Sequence, residues 1–206
     1  MAEQLVVTKQ GFLISFDDRD MGVGRNLRVD QEHEPATCAM LQRCLRPGMN
    51  VLIGGSNYGV FDCLVARAIG RTGHLWSFEA NPDLLPFRQQ NLRQNGADES
   101  CYTLETLAIY SGAGFIAMHC EPDGANLGGT SIKSEPHKTR SFLVRCVSLD
   151  QYCDHSNLPP LDLIKLDIEG AEADAIDGMA NMLQSAPPRA MILESTAMDS
   201  ERLCER

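Results

Sequence analysis

The sequence has no run of 18 apolar residues, no C-x-x-C pair, no excess of basic charge and no histidines at metal-ligand spacing. Each absence removes a class of function. Without a long apolar run no segment is expected to span a bilayer, and the amino terminus MAEQLVVTKQ lacks the basic and then apolar regions of an export signal. The eight cysteines (38, 44, 63, 101, 120, 146, 153 and 204) are scattered through the chain, several inside apolar runs. They are expected as small buried thiols in a reducing, cytoplasmic setting. Lys and Arg total 18 against 28 Asp and Glu, and a net charge of −10 repels phosphate backbones and anionic membranes, which argues against nucleic acid or a membrane surface as partner. The five histidines (33, 74, 119, 137 and 155) have no clear cysteine or serine partner, so none is assigned a catalytic role.

What is present is the pattern of one ordinary domain over residues 1–206, with 43% hydrophobic and 22% charged residues. Residues 1–48 read as an irregular or hairpin lead-in followed by a three-turn helix, in which Cys38, Leu41 and Leu45 recur at helical spacing after Pro35. From residue 49 onward apolar strands alternate with helices: NVLIGG, a helix over 58–69, HLWSFEA, a helix from Asn81-Pro82 to Asn95-Gly96, and CYTLETLAI. Two strand-like runs, GFIAMHC and SFLVRCVSL, then flank about twenty polar residues, and LDLIKLD, a helix carrying Ile176, Met179, Ala180 and Leu183 on one face, and RAMILES follow. Such alternation predicts an α/β fold with a mostly parallel sheet and helices on both faces.

In an open α/β sheet the ligand lies beyond the carboxyl ends of the strands, near the first strand-to-helix loop. That loop is GGSNYG, Gly54 to Gly59. Its glycines permit positive φ and close approach, and the start of the next helix offers unpaired N–H groups. Glu79 ends the second strand, where a carboxylate can accept from both hydroxyls of an adenosine ribose, though a solvated strand end would look the same. Nicotinamide dinucleotides and S-adenosylmethionine both use this pairing. Ser56 stands where the dinucleotide fingerprint needs a bare glycine, and its side chain is expected to crowd a diphosphate.

The segments GGSNYGVF, WSFEANP, NLGGTSI and above all LDLIKLDIEGAEADAIDGM resemble the FkbM family of S-adenosylmethionine-dependent methyltransferases, in the family's order from about Gly11 to Glu194. The resemblance implies a Rossmann-like class I methyltransferase fold and O-methylation of a hydroxyl on a small molecule or sugar. It implies that Gly54, Gly55, Ser56, Asn57 and Gly59 wrap the methionine portion of the cofactor, that Glu79 and Asn81 hold the ribose side, and that Ala108 lies beside the adenine. Asp167 and Glu169 match the acidic pair beside the methyl group and are the candidate catalytic residues. Two features depart from the family pattern. Ile53 stands where the family has an acid two residues before the loop glycine, and TAMDSERLCER is too short for the usual terminal antiparallel hairpin.

An alcohol is a weak nucleophile until its proton is accepted, which directs attention to Asp167, at the end of a buried strand. Lys165 shares its face by strand alternation, and the alternative for Asp167 is a helix-start acid satisfied by nearby N–H groups. Glu169 and Glu194 are the other acids within expected reach. Three oxygens would suit a divalent cation, but nothing in the spacing demands one. Asn126, Thr130 and Ser131 in the long loop are the expected acceptor contacts. The competing readings are a catalytically weak methyltransferase-like binding or scaffold domain and a nicotinamide-dependent oxidoreductase.

Overall fold

The computed structural model describes residues 3–122 and 125–194. The chain enters through an antiparallel hairpin, β1 (Glu3–Val7) and β2 (Leu13–Asp17), which feeds Phe12, Ile14 and Phe16 into the core. Helices α1 (Val23–Asp30) and α2 (Pro35–Cys44) follow. The second is the expected three-turn helix, with Pro35 in its first turn and Cys38 and Leu41 buried. The first was not expected, because VGRNLRVD buries only Gly24 and Leu27 and carries little apolar periodicity.

The alternating region then forms β3 (Asn50–Gly54), α3 (Val60–Ile69), β4 (His74–Phe78), α4 (Leu85–Gln94) and β5 (Tyr102–Glu105). In α3 the apolar face Val60, Phe61, Leu64, Val65 and Ile69 is buried, each side chain contributing about 1.5–3 kcal/mol. The run CYTLETLAI does not form one strand. It breaks at Thr106-Leu107, so that β6 (Ala108–Ile109) leaves the main sheet and pairs in parallel with β8 (Arg140–Val147), which is antiparallel to β7 (Gly114–Cys120). Helix α5 (Leu149–Ser156), capped by Ser148, leads to β9 (Leu163–Leu166). The helix expected around residues 176–183 is divided at Gly178-Met179 into α6 (Glu172–Asp177) and α7 (Ala180–Ser185) before β10 (Ala190–Leu193).

The main sheet has the order β10-β9-β3-β4-β5 with every pairing parallel. Strand alternation separates its two faces. Val51, Ile53, Leu75 and Leu163 pack with the hairpin and α2 to α4, whereas Leu52, Trp76, Ile164 and Leu166 pack with Leu149, Ala175 and Met179 on the other side. Ile53, where the family pattern has an acid, is wholly buried in the first of these cores. Chain order reverses between β3 and β9, so a crevice opens beyond their carboxyl ends. The segment 195–206, on which the expectation about a terminal hairpin falls, lies outside the described residues. Among the described residues no helix is long and apolar enough to cross a membrane, and the seven described cysteines are free thiols.

Candidate active site

A cavity of about 260 Å³ occupies this crevice. The strands deliver the residues around it in register. Gly55 and Ser56 continue β3 and donate to the Phe78 carbonyl at 2.9 and 3.2 Å, the Glu79 N–H bonds the Glu105 carbonyl, the Asp167 N–H bonds Gly54, and the Glu194 N–H bonds Leu166. One apolar part of the wall comes from the smaller sheet, where Ala108, Ile116, Met118 and Ile132 pack together.

Gly55 has no alternative at its position. Its φ is +75°, and a Cβ there would stand 1.6 Å from the Asp167 carbonyl oxygen. Asn57 also has positive φ, at 52°, which turns its amide toward Glu79. The Glu79 carboxylate accepts from the Asn57 N–H at 2.9 Å and from the Asn81 N–H at 2.8 Å, and so ties the loop after β3 to the loop after β4. Burial pushes the Glu79 carboxyl up from the ordinary range, against the pull of those amides and of Arg88.

Gly55, Asn57, Glu79, Ala108, Asp167 and Glu169 all line the cavity. Gly54, Ser56, Gly59 and Asn81 stand behind the wall. Gly54 lies where a Cβ would meet Ile109 and Leu166, and Gly59 starts α3 with φ of 81°. Asn81 is buried and donates to the Leu127 carbonyl and to Thr130 Oγ1. Ser56, whose side chain was expected to crowd a diphosphate, is 2% exposed and does not line the cavity. Deeper still, Asp62 accepts from Ser77 Oγ at 2.7 Å and faces Arg88 Nε at 3.7 Å, all three side chains fully buried. From the long loop, Asn126 and Thr130 reach the wall, while Ser131 is buried in a bridge to His119.

The opposite part of the wall is acidic. Lys165, 1% exposed, donates to Asp167 Oδ2 at 2.9 Å and lies 4.3 Å from the centre of the Phe61 ring. Asp167 is thus paired within its own strand end, and Glu172 takes the helix-start role by accepting from the Ile168 N–H. One oxygen each of Glu34, Asp167 and Glu194 lies within 4.8 Å of the others. Such a trio suits a hard cation, although Lys165 already occupies Asp167 Oδ2. Glu34 and its neighbour His33, whose Nε2 is 3.1 Å from Glu34 Oε1, come from the segment before α2. Neither was assigned a role from the sequence. The one local signal was the Glu-Pro pair that starts the helix, and nothing local connects it with a strand end more than 130 residues away.

These carboxyls differ in ionisation. Burial raises Glu34, but His33, Lys165 and Thr37 outweigh it and hold the group at about 2. Glu169 is pushed up to about 7 by burial and then by the charge of Asp167. Glu194 is pushed up to about 8, first by its hydrogen bond with Asp167 and then by burial and that same charge. Raised folded-state values mean that the stabilising contribution of Glu169 and Glu194 is complete below about 4.5 and is lost as the pH rises through 7 and 8. Glu34 acts oppositely, contributing above 4.5 and losing that contribution as the pH falls toward 2. Thermal melts of wild type are therefore expected to fall from pH 6 to pH 9, and Glu194→Gln should flatten that decline. An equal slope in the variant would remove Glu194 from the explanation.

Comparison with known proteins agrees with this architecture. Residues 53–204 match the Methyltransferase FkbM domain. Hexuronic acid methyltransferase AglP of Haloferax volcanii is 28% identical over 133 residues, which cover 64% of this chain and 50% of that protein. A protein-L-isoaspartate O-methyltransferase of Methanothrix thermoacetophila is 29% identical over 92 residues, covering 44% and 43% of the two chains. The chain thus spans about half the length of the curated relatives it matches. Among solved structures, methyltransferase FkbM from Methylobacillus flagellatus superposes with a TM-score of 0.56 at 14% identity, over 92% of this chain and 54% of that one. An S-adenosylmethionine-dependent O-methyltransferase from Thermotoga maritima gives 0.53 at 12% identity, over 98% and 60%. At those identities the structures speak for the fold, a class I methyltransferase fold. The domain match covers most of the sequence, and the chain belongs to the FkbM methyltransferase family.

Proposed function

We propose that this chain is an S-adenosylmethionine-dependent O-methyltransferase acting on a hydroxyl of a small molecule or sugar. The observation that carries the reading is convergence: Gly55, Asn57 and Glu79 from the β3 and β4 ends, and Asp167 and Glu169 from the β9 end, border one cavity. The donor set fits the cofactor. Glu79 retains lone pairs for a ribose diol after accepting its two amides, since a carboxylate offers about four acceptor sites. The apolar wall from Ala108 to Ile132 suits a flat base. Bound S-adenosylmethionine supplies an activated methyl group.

The rest of the work falls to the chain. Asp167, with Oδ2 fixed by Lys165, orients the acceptor hydroxyl and holds its proton as the oxygen becomes nucleophilic. Alignment of the reactants can supply roughly 7–11 kcal/mol of the barrier. Glu169, raised by burial and by the charge of Asp167, lines the same cavity. A sugar as acceptor is supported by the Haloferax volcanii relative, a hexuronic acid methyltransferase. Incubation with methyl-labelled cofactor and a panel of sugars, polyketide alcohols and amines tests the reading. Label on a hydroxyl compound is expected, and label confined to nitrogen acceptors would contradict it. No transfer to any acceptor would favour a binding or scaffold role.

A further inference from the structure

Asp20 is fully buried just after the hairpin and stands outside the cavity wall. It nonetheless accepts four hydrogen bonds. Oδ1 accepts from the Gly22 and Gly24 N–H groups, each at 2.9 Å. Oδ2 accepts from the Tyr58 hydroxyl at 2.9 Å and from the Leu127 N–H at 3.1 Å. All of its roughly four acceptor positions are thus filled by donors, as a carboxylate removed from water requires.

The donors come from three segments that are remote in sequence: the start of α1, the loop after β3, and the loop after β7. Each segment sends residues to the cavity wall, Gly22 and Val23 from the first, Asn57 from the second, Asn126 and Thr130 from the third. The bonds also close a circuit. Glu79 accepts from the Asn57 and Asn81 N–H groups, and the Asn81 amide donates to the Leu127 carbonyl at 3.3 Å and to Thr130 Oγ1 at 3.0 Å. The Leu127 N–H returns to Asp20, and Asp20 to Tyr58, whose own N–H bonds Asn57 Oδ1 at 2.8 Å. Packing reinforces the contact between the loops, because a Cβ at Gly128 would lie 1.9 Å from Asn57 Nδ2.

We propose that Asp20 is a positioning residue that couples the cofactor loop, through Tyr58, to the 125–133 segment, so that cofactor binding fixes the acceptor side of the cavity. The inference rests on the cofactor reading above. A ligand that orders the Asn57 backbone also orders Tyr58, whose hydroxyl shares one oxygen of Asp20 with the amide of Leu127. Were Asp20 only a cap on α1, its Oδ1 bonds would be enough and the Tyr58 and Leu127 contacts incidental.

Amide hydrogen exchange with and without S-adenosylhomocysteine separates these roles. In wild type the ligand should slow exchange in both 55–59 and 125–133. Tyr58→Phe keeps the ring against Phe16 and Phe87 and leaves the α1 cap untouched. In that variant protection of 55–59 should persist, while the ligand-dependent protection of 125–133 should fall about tenfold, the effect of one hydrogen bond to a charged group. Asp20→Asn, which retains an oxygen for Gly22 and Gly24 but turns an NH₂ toward Leu127, should show the same loss. Protection of 125–133 in Tyr58→Phe equal to wild type overturns the proposal, as does wild-type protection of 55–59 without any in 125–133. No protection in either segment of wild type overturns the cofactor reading and the coupling together.

Discussion

Asp167→Asn should lower turnover by about 10²–10⁴-fold while leaving affinity for S-adenosylhomocysteine within a few-fold of wild type. The substitution preserves shape and removes the negative charge proposed to hold the acceptor proton. It also strips Lys165 of its ion partner in a place where that side chain is 1% exposed. Breaking a buried pair from one side costs roughly 3–5 kcal/mol, so the melting temperature should fall as well. Turnover must therefore be measured per folded molecule, with the ligand titration as control. Turnover within tenfold of wild type would remove Asp167 from the chemistry and leave Glu169 as the acid to examine.

Glu79→Ala is expected to weaken S-adenosylhomocysteine binding by at least about 100-fold, because two kinds of contact fail at once. The ribose would lose charge-assisted hydrogen bonds worth roughly 1.5–3 kcal/mol each. The Asn57 and Asn81 N–H groups would also lose the acceptor that clamps the two loops at 2.9 and 2.8 Å, and with it the shape of the cavity. Glu79→Gln keeps the side-chain volume but loses the charge and turns an NH₂ toward one of those N–H donors, so it should weaken binding too, though less than Glu79→Ala. Titration calorimetry measures both variants. An affinity in Glu79→Ala equal to wild type would mean that Glu79 serves the strand end alone.

The core of the fold was legible because its signals are local. Strands β3, β4 and β9 are short apolar runs ending at glycine or an acid, and α3 and α4 carry stop signals at Gly70 and Asn95-Gly96. The position of Glu79 follows from the end of a strand in the same way. The break between β5 and β6 was not legible, because CYTLETLAI is continuous in character and only pairing across two sheets divides it. Helix α5 had its cap in Ser148 and a left-handed Asn157 at its end, yet LDQYCDHS is short and mixed in character.

The candidate site divides along the same line. Gly55 and Asn57 were legible from the loop, whereas the burial of Ser56 depends on how the loop winds between Phe78 and α3. His33, Glu34 and Asp20 could not be placed. Each sits in a polar stretch with no apolar periodicity, and each acquires its neighbours only when the amino-terminal segment folds against loops and strand ends far away in sequence. Tertiary contacts of that length leave no periodicity to read.

The central claim is that the loop after β3 and the acid ending β4 hold a single nucleoside. A crystal structure of the protein with S-adenosylhomocysteine tests it most directly. Electron density for the ribose hydroxyls against Glu79, with the amino-acid tail along Gly55 to Asn57, is the expected result. Density for the ligand at another surface, or a crevice filled by the protein's own side chains at saturating ligand, would contradict it.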